Sequence, residues 1–233
     1  DGRSFIDSCI IENATDGIYS NSSSPTIRNS TIRNNTDGIH ADGNSEPIIT
    51  GNTFTGNTRP VSIQAAYIDE NIYGNTYSGN TKNYIEVSSG NSILEGNRTW
   101  TWKRDGAPYV LMGSIRMYQD IGTYVTGQRA VLEIERGTTV KIQGGEHIYV
   151  GHTNNGQNHN RYPGGLRATG VTFTSLDSTG WAGIYFQNSA LDDTNYTLID
   201  SCIIENATDG IYCNISSPTI RNSTIRNNTD GID

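Results

Sequence analysis

Three apolar columns run through the first third of the chain. Aligned as IDSCII, IRNSTI, ITGNTF and IYGNTY, four segments place Ile6, Ile27, Ile49 and Ile72 in one column. Five residues later come Ile11, Ile32, Phe54 and Tyr77, and seven further on Ile18, Ile39, Val61 and Tyr84. Successive copies lie 21, 22 and 23 residues apart. Two residues after the second column stand Asn13, Asn34, Gly56 and Gly79. Asn and Gly tolerate a left-handed backbone, so a sharp turn recurs in every copy. A unit this short cannot bury its apolar face alone, and stacking it on its neighbours creates a continuous core. The pattern predicts an all-β solenoid with coils of about 21–23 residues and these columns as its stacking core.

A longer repeat contains the short one. Residues 199–232 repeat residues 6–39 at an offset of 193, and only Ser20/Cys213 and Ser22/Ile215 differ among the 34 pairs. The offset divides the chain into two parts. Residues 1–99 read as the closing coils of one module. Residues 100–233 open the next and contain the second copy. Pro25 and Pro47 each precede a strand, where proline is allowed. Tyr84–Val87 reads as a further strand, and Ser88–Asn97 as a polar turn or module end. Around 100–165 the strands lengthen, as in AVLEIERGTTVKI with its turn at Arg136-Gly137, and a wider section of the solenoid is expected there.

Composition agrees with a β-solenoid. Apolar residues make up 33% of the chain, but the polar excess is Asn, Thr, Ser and Gly, which suit strands, turns and ladders. No stretch keeps a helical apolar period, so almost no helix is expected. The net charge of −8 argues against nucleic acid as a partner, since binding it needs a basic stripe. No apolar run is long enough to span a bilayer. No cofactor motif is present. No signal peptide is visible, and the chain opens in mid-coil with no polar cap in RSFIDSCII or NNTDGID, so the edges are expected to seek another strand.

The segments GAPYV, LEIERGTTVKI, HIYVG, GGLRATGVTFTS, WAGIYF, CIIENATDGIY and PTIRNSTIRNN together carry a resemblance. The chain resembles the right-handed parallel β-helix repeat surface proteins of archaea and bacteria, which share the pectate-lyase-like fold. The resemblance covers most of the chain and is weakest over residues 60–99. It implies a right-handed parallel β-helix and a place in large, secreted cell-surface proteins, as in methanogenic archaea. It does not imply catalysis.

Candidate chemistry is sparse. Asp16 and Asp37 align, with Arg59 and Lys82 above them. Two stacked acids can hold calcium, but Asp-Gly is also ordinary turn chemistry. Asp192 and Asp193 are adjacent, and on a strand they would point to opposite faces. Tyr73, Tyr77, Tyr84, Trp100, Trp102, Trp181, Tyr185 and Phe186 form either a sugar-stacking platform or, the commoner use, core packing. Asn-X-Ser/Thr triplets occur at Asn13, Asn21, Asn29, Asn34, Asn97, Asn195, Asn206, Asn214, Asn222 and Asn227. Asn21 and Asn214 are the better glycan acceptors among them, and their use would place the protein outside the cell. A Cys202–Cys213 bridge across one coil competes with cysteines that are small buried hydrophobes, Cys9 and Cys202 among them. The polar loop 151–165 carries His152 and His159.

Near-identical copies at a fixed offset favour a structural role. The leading expectation is a non-enzymatic extracellular protein whose tandem modules associate head-to-tail into a surface layer, sheath or filament. The alternatives are a carbohydrate-binding or polysaccharide-degrading module, and an adhesin that uses the 151–165 loop.

Overall fold

The computed structural model describes residues 4–89, 93–120, 129–152, 161–188 and 190–233. The strands are short, because each coil must turn two or three corners within about 21 residues. Among the described residues all but one of the strand pairings are parallel, which follows when each strand stacks on its counterpart one coil earlier. The exception joins Gln119–Asp120 to Arg161–Tyr162 antiparallel. The one helical segment described is a 3-10 turn at Ala65–Tyr67.

The columns stack as the sequence pattern predicts. Ile6, Ile27, Ile49 and Ile72 stand in register in sheet one, and Ile11, Ile32, Phe54 and Tyr77 in sheet two. Sheet three begins with Ile18, Ile39 and Val61, but Ile85, not Tyr84, takes the fourth place. The fourth coil carries one more residue between its second and third strands, which moves Tyr84 off the column and leaves it half-buried. The extra residue falls after Lys82, which stays in line with Arg59: Arg59 N–H donates to the Thr36 carbonyl at 2.9 Å and Lys82 N–H to the Thr58 carbonyl at 2.8 Å. Ile27, Ile32, Ile39, Ile49, Phe54 and Val61 are fully buried, whereas Ile6, Ile11 and Ile18 of the first coil are only partly covered.

Sheet three is the continuous spine. Its column continues through Tyr109, Val140, Phe173, Ile204 and Ile225. Around it the cross-section changes. Sheet two stops at Thr76–Ser78. Sheet four starts at Ile93–Leu94, inside the stretch expected to be a polar turn. Sheet five starts at Arg98–Trp102, laid against the chain before sheet one's last strand. There Glu70 N–H donates to the Thr101 carbonyl, and the Asp69 carboxylate accepts from Thr101 N–H, both at 2.8 Å. The spine steps 24 residues from Ile85 to Tyr109, then 31, 33 and 31 to reach Ile204, and returns to 21 at Ile225. The wide section therefore reaches Ile204, further than the strand lengths around 100–165 suggest. Sheet three crosses the junction at 99–100 without a break.

The change of cross-section gives the long repeat different neighbours in its two copies. Ile11 lies in sheet two and its counterpart Ile204 in sheet three. Ile18 lies in sheet three and its counterpart Ile211 in sheet four. The coil-internal spacing is the same in both, so the local sequence sets the coil shape whichever strand lies above it.

Corners are closed by buried polar ladders. The turn column has positive φ at Asn13, Asn34, Gly56 and Gly79, and a second such column comprises Ser8, Asn29, Gly51 and Gly74. The residue after each turn points inward. Asn35 Oδ1 accepts from Ala14 N–H at 3.0 Å, Asn57 Oδ1 from Asn35 N–H at 3.0 Å, and Asn80 Oδ1 from Asn57 N–H at 3.0 Å. Their amide groups donate to the carbonyls of Ile11, Ile32 and Phe54. The other corner runs Ser30, Asn52 and Asn75 and ends on Asp105, which accepts from Asn75 N–H at 2.8 Å and from the Tyr77 hydroxyl at 2.8 Å. An unmet buried amide costs about 1–3 kcal/mol, so each ladder residue answers for several such groups. Replacement Asn57→Ala removes an acceptor shared by Asn35 N–H and Nδ2 and a donor to Ile32. Denaturant unfolding should show a loss of about 2–4 kcal/mol for Asn57→Ala. Asn34→Gly, at an exposed left-handed turn, should stay within about 0.5 kcal/mol.

Candidate functional site

The aligned acids belong to a charged cluster in which Asp37 is buried and Asp16 is half-buried. Asp16 and Asp37 pair in register, and His40 joins them, with ligand atoms of the three within 4.8 Å of one another. His40 Nδ1 is 3.4 Å from Asp16. Arg59 forks onto Asp37 at 2.5 and 2.6 Å and reaches Glu86 at 2.5 Å. The side chains of Asp37 and Glu86 are 7% and 6% exposed. Both oxygens of Asp37 thus face one guanidinium, whose pKa is raised chiefly by its hydrogen bond to Asp37. A hard cation here would have to displace that fork. The geometry is that of a buried ion-pair clasp between coils. Breaking such a pair from one side leaves uncompensated buried charge, so Arg59→Gln should destabilise by about 3–5 kcal/mol. Arg33→Gln, at the exposed 2.6 Å pair with Glu12, should cost at most about 1 kcal/mol in the same unfolding assay.

Asp192 ties two coils together and Asp193 serves a local turn. Asp192 accepts from Ser217 N–H at 2.7 Å, and Asp193 from Asn195 N–H at 2.8 Å.

Most of the aromatic candidates are core. Tyr77, Trp100, Trp102, Trp181 and Phe186 are buried, with Trp102 tilted against Tyr109 at 5.1 Å and Tyr77 stacked on Phe54 at 5.1 Å. Inward columns need large side chains where the coil widens, and these residues fill it. Tyr73 faces out beside the Lys103 ammonium. Tyr185 belongs to a ladder on the outer face of sheet four. Arg116, Tyr149, Tyr185 and Tyr212 occupy one register row. Arg116 lies 3.9 Å from the Tyr149 ring centre, and Tyr185 and Tyr212 are 4.9 Å apart. His147 stacks on Tyr149 at 4.7 Å, and partial burial pushes its pKa down. The Tyr185 hydroxyl donates to Asp209. Only Tyr185 of this row stands out in the sequence, because the row's spacing varies across the wide coils.

Nine of the ten sequon asparagines are exposed and Asn214 is half-buried. Asn13, Asn29, Asn34, Asn206, Asn222 and Asn227 sit at left-handed turns with φ of 52–63°. Asn21 lies on the exposed end of its strand, its amide 3.3 Å from the Tyr19 hydroxyl. Cys9, Cys202 and Cys213 are free thiols. The candidate bridge between Cys202 and Cys213 is not formed. Cys202 precedes the sheet-three strand Ile203–Glu205 with Sγ at 3.4 Å from the Ala168 and Asp200 carbonyls, whereas Cys213 closes a strand of sheet four beside Phe186. Cys202 is a buried small hydrophobe, and its counterpart Cys9 is exposed on the first coil. Of the 151–165 loop, residues 153–160, including His159, lie outside the described residues.

Residues 1–114 match the family model described as a right handed beta helix region. The parallel sheets carry the same winding on through Ile232, and the protein is a right-handed parallel β-helix. Comparison with curated proteins returns no match, and neither does comparison with solved structures. Among the described residues no helix is long and apolar enough to cross a membrane.

Proposed function

We propose that the protein is a structural component of the cell exterior, in which tandem β-helix modules build a surface layer, sheath or filament. One observation carries this reading: the two copies of the long repeat build the same coil pair. Asp7 pairs with Arg28 at 2.8 Å and Asp200 with Arg221 at 2.9 Å. Glu12 pairs with Arg33 at 2.6 Å and Glu205 with Arg226 at 2.8 Å. Ser30 and Ser223 take the Cys9 and Cys202 amides, and Asn35 and Asn228 those of Ala14 and Ala207. Two levels of one rod then offer matching outer surfaces, and matching surfaces at a fixed offset favour head-to-tail or lattice contacts between copies. The exposed sequons fit an extracellular address, with glycans as a further partner. The role needs no catalytic group. Negative-stain microscopy of the purified chain at increasing concentration should reveal rods that lengthen, or sheets. Single particles at every concentration would count against it.

The tyrosine row favours a second reading, a carbohydrate-binding wall, because aromatic faces and a nearby carboxylate suit sugar rings. Under it, a glycan that shifts the resonances of Tyr149, Tyr185 and Tyr212 should lose at least about tenfold in affinity in Tyr185→Ala. Unchanged binding in that variant would remove this wall from consideration.

A further inference from the structure

The protein is acidic overall, yet one corner gathers cations that form no ion pair within 4.0 Å among the described residues. Among the described side chains, nearly every lysine and arginine has an acidic or aromatic partner. Arg28, Arg33, Arg59, Arg98, Arg221 and Arg226 pair with carboxylates within 4.0 Å, as do Lys82, Lys103 and Arg167. Arg116 and Arg129 lie over tyrosine rings. The three described side chains with no such partner are Arg104, Arg136 and Lys141. All three belong to the corner between sheets five and three.

The coil lengths explain why a cleft opens at that corner. Trp102, Ile134 and Ala168 share one register row, and Tyr109, Val140 and Phe173 another. The links between the rows hold six, five and four residues in successive coils. Each turn therefore overhangs the next. The space under the first overhang is a cleft of about 330 Å³ lined by Arg104, Asp105, Gly106, Thr138, Thr139 and Lys141 among others. The Arg104 side chain lies along Gly137, where a Cβ would meet its Cδ at 3.2 Å. Arg136 lies along Gly170 one coil further on. The glycines thus let the arginines run close to the corner.

The neighbouring acids are held by neutral donors, which fix their positions and leave their charge in place. Asp105 Oδ1 accepts from Asn75 N–H, and Oδ2 from the Asn75 amide and the Tyr77 hydroxyl. Glu135 Oε2 accepts from Arg104 N–H at 2.7 Å. Thr138 in the cleft wall is 4% exposed, and its hydroxyl has no hydrogen-bond partner.

We propose that this cleft binds an oxyanion, a phosphate or sulfate group, between Arg104 and Lys141. The guanidinium supplies a planar fork of donors and the ammonium a compact charge. A rotation of Thr138 about its Cα–Cβ bond offers its hydroxyl to the same ligand. The site is open to solvent, so affinity for a single group is on the order of millimolar and falls with added salt. Arg136 adds long-range attraction from the next coil. The site stands apart from the structural role proposed above and does not depend on it.

The test is an NMR titration of the folded chain at low ionic strength, with inorganic sulfate in one arm and a sugar monosulfate in the other. Saturable shifts at Arg104, Gly106, Thr138 and Lys141 are expected. Arg104→Gln and Lys141→Gln should each weaken binding about tenfold. Both residues are partly or fully exposed, so the folds should persist, and an unchanged spectrum away from the corner checks this. Tighter binding of the sugar ester would assign a group carried on a sugar, and equal binding a free anion. Either result upholds the site. Shifts that never saturate, or affinity unchanged in both variants, would overturn it.

Discussion

The fold depends on parallel strands stacked in unbroken register. Adjacent coils are about 4.8 Å apart, so an inward residue meets its counterpart and little else along the axis. One misplaced polar residue would face two apolar neighbours, and a one-residue slip would turn a whole strand inside out. The sheet-three column, from Ile18 to Ile225, survives changes in coil length from 21 to 33 residues. The column stays intact through coils that gain strands of sheets four and five.

Corners are the second constraint. A strand that bends sharply exposes an N–H and a carbonyl inside the coil, where water cannot reach them. Ser30, Asn35, Asn52, Asn57, Asn75 and Asn80 meet that need by passing hydrogen bonds from coil to coil. The ladders stop where the cross-section changes. Asp105 closes one, and the Asn80 amide closes the other on Asn83. Beyond that point sheets four and five replace sheets one and two. The second copy of the long repeat then re-forms its own corner bonds through Ser223 and Asn228.

Much of this was legible in the isoleucine spacing, because strand stacking converts sequence period directly into contact. The turn column at Asn13, Asn34, Gly56 and Gly79 was legible for the same reason. The inward ladder one residue later was not, since an inward asparagine looks in sequence like more turn polarity. Tyr84 was misplaced because the fourth coil gains a residue between its second and third strands. The Tyr149, Tyr185 and Tyr212 row and the Arg104–Lys141 cleft lie in wide coils, where corner lengths vary and no fixed period reveals which residues meet. Arg59 illustrates the limit for chemistry. Its alignment with Asp16 and Asp37 was visible, but its fork onto Asp37 and reach to Glu86 emerge only from the geometry.

The central claim is that buried corner amides hold the coils in register, and amide hydrogen exchange tests it most directly. The N–H groups of Asn35, Asn52 and Asn57 should exchange only through global unfolding, with a free energy equal to that from denaturant titration. Exchange of these three amides at the rate of an unstructured chain would contradict it.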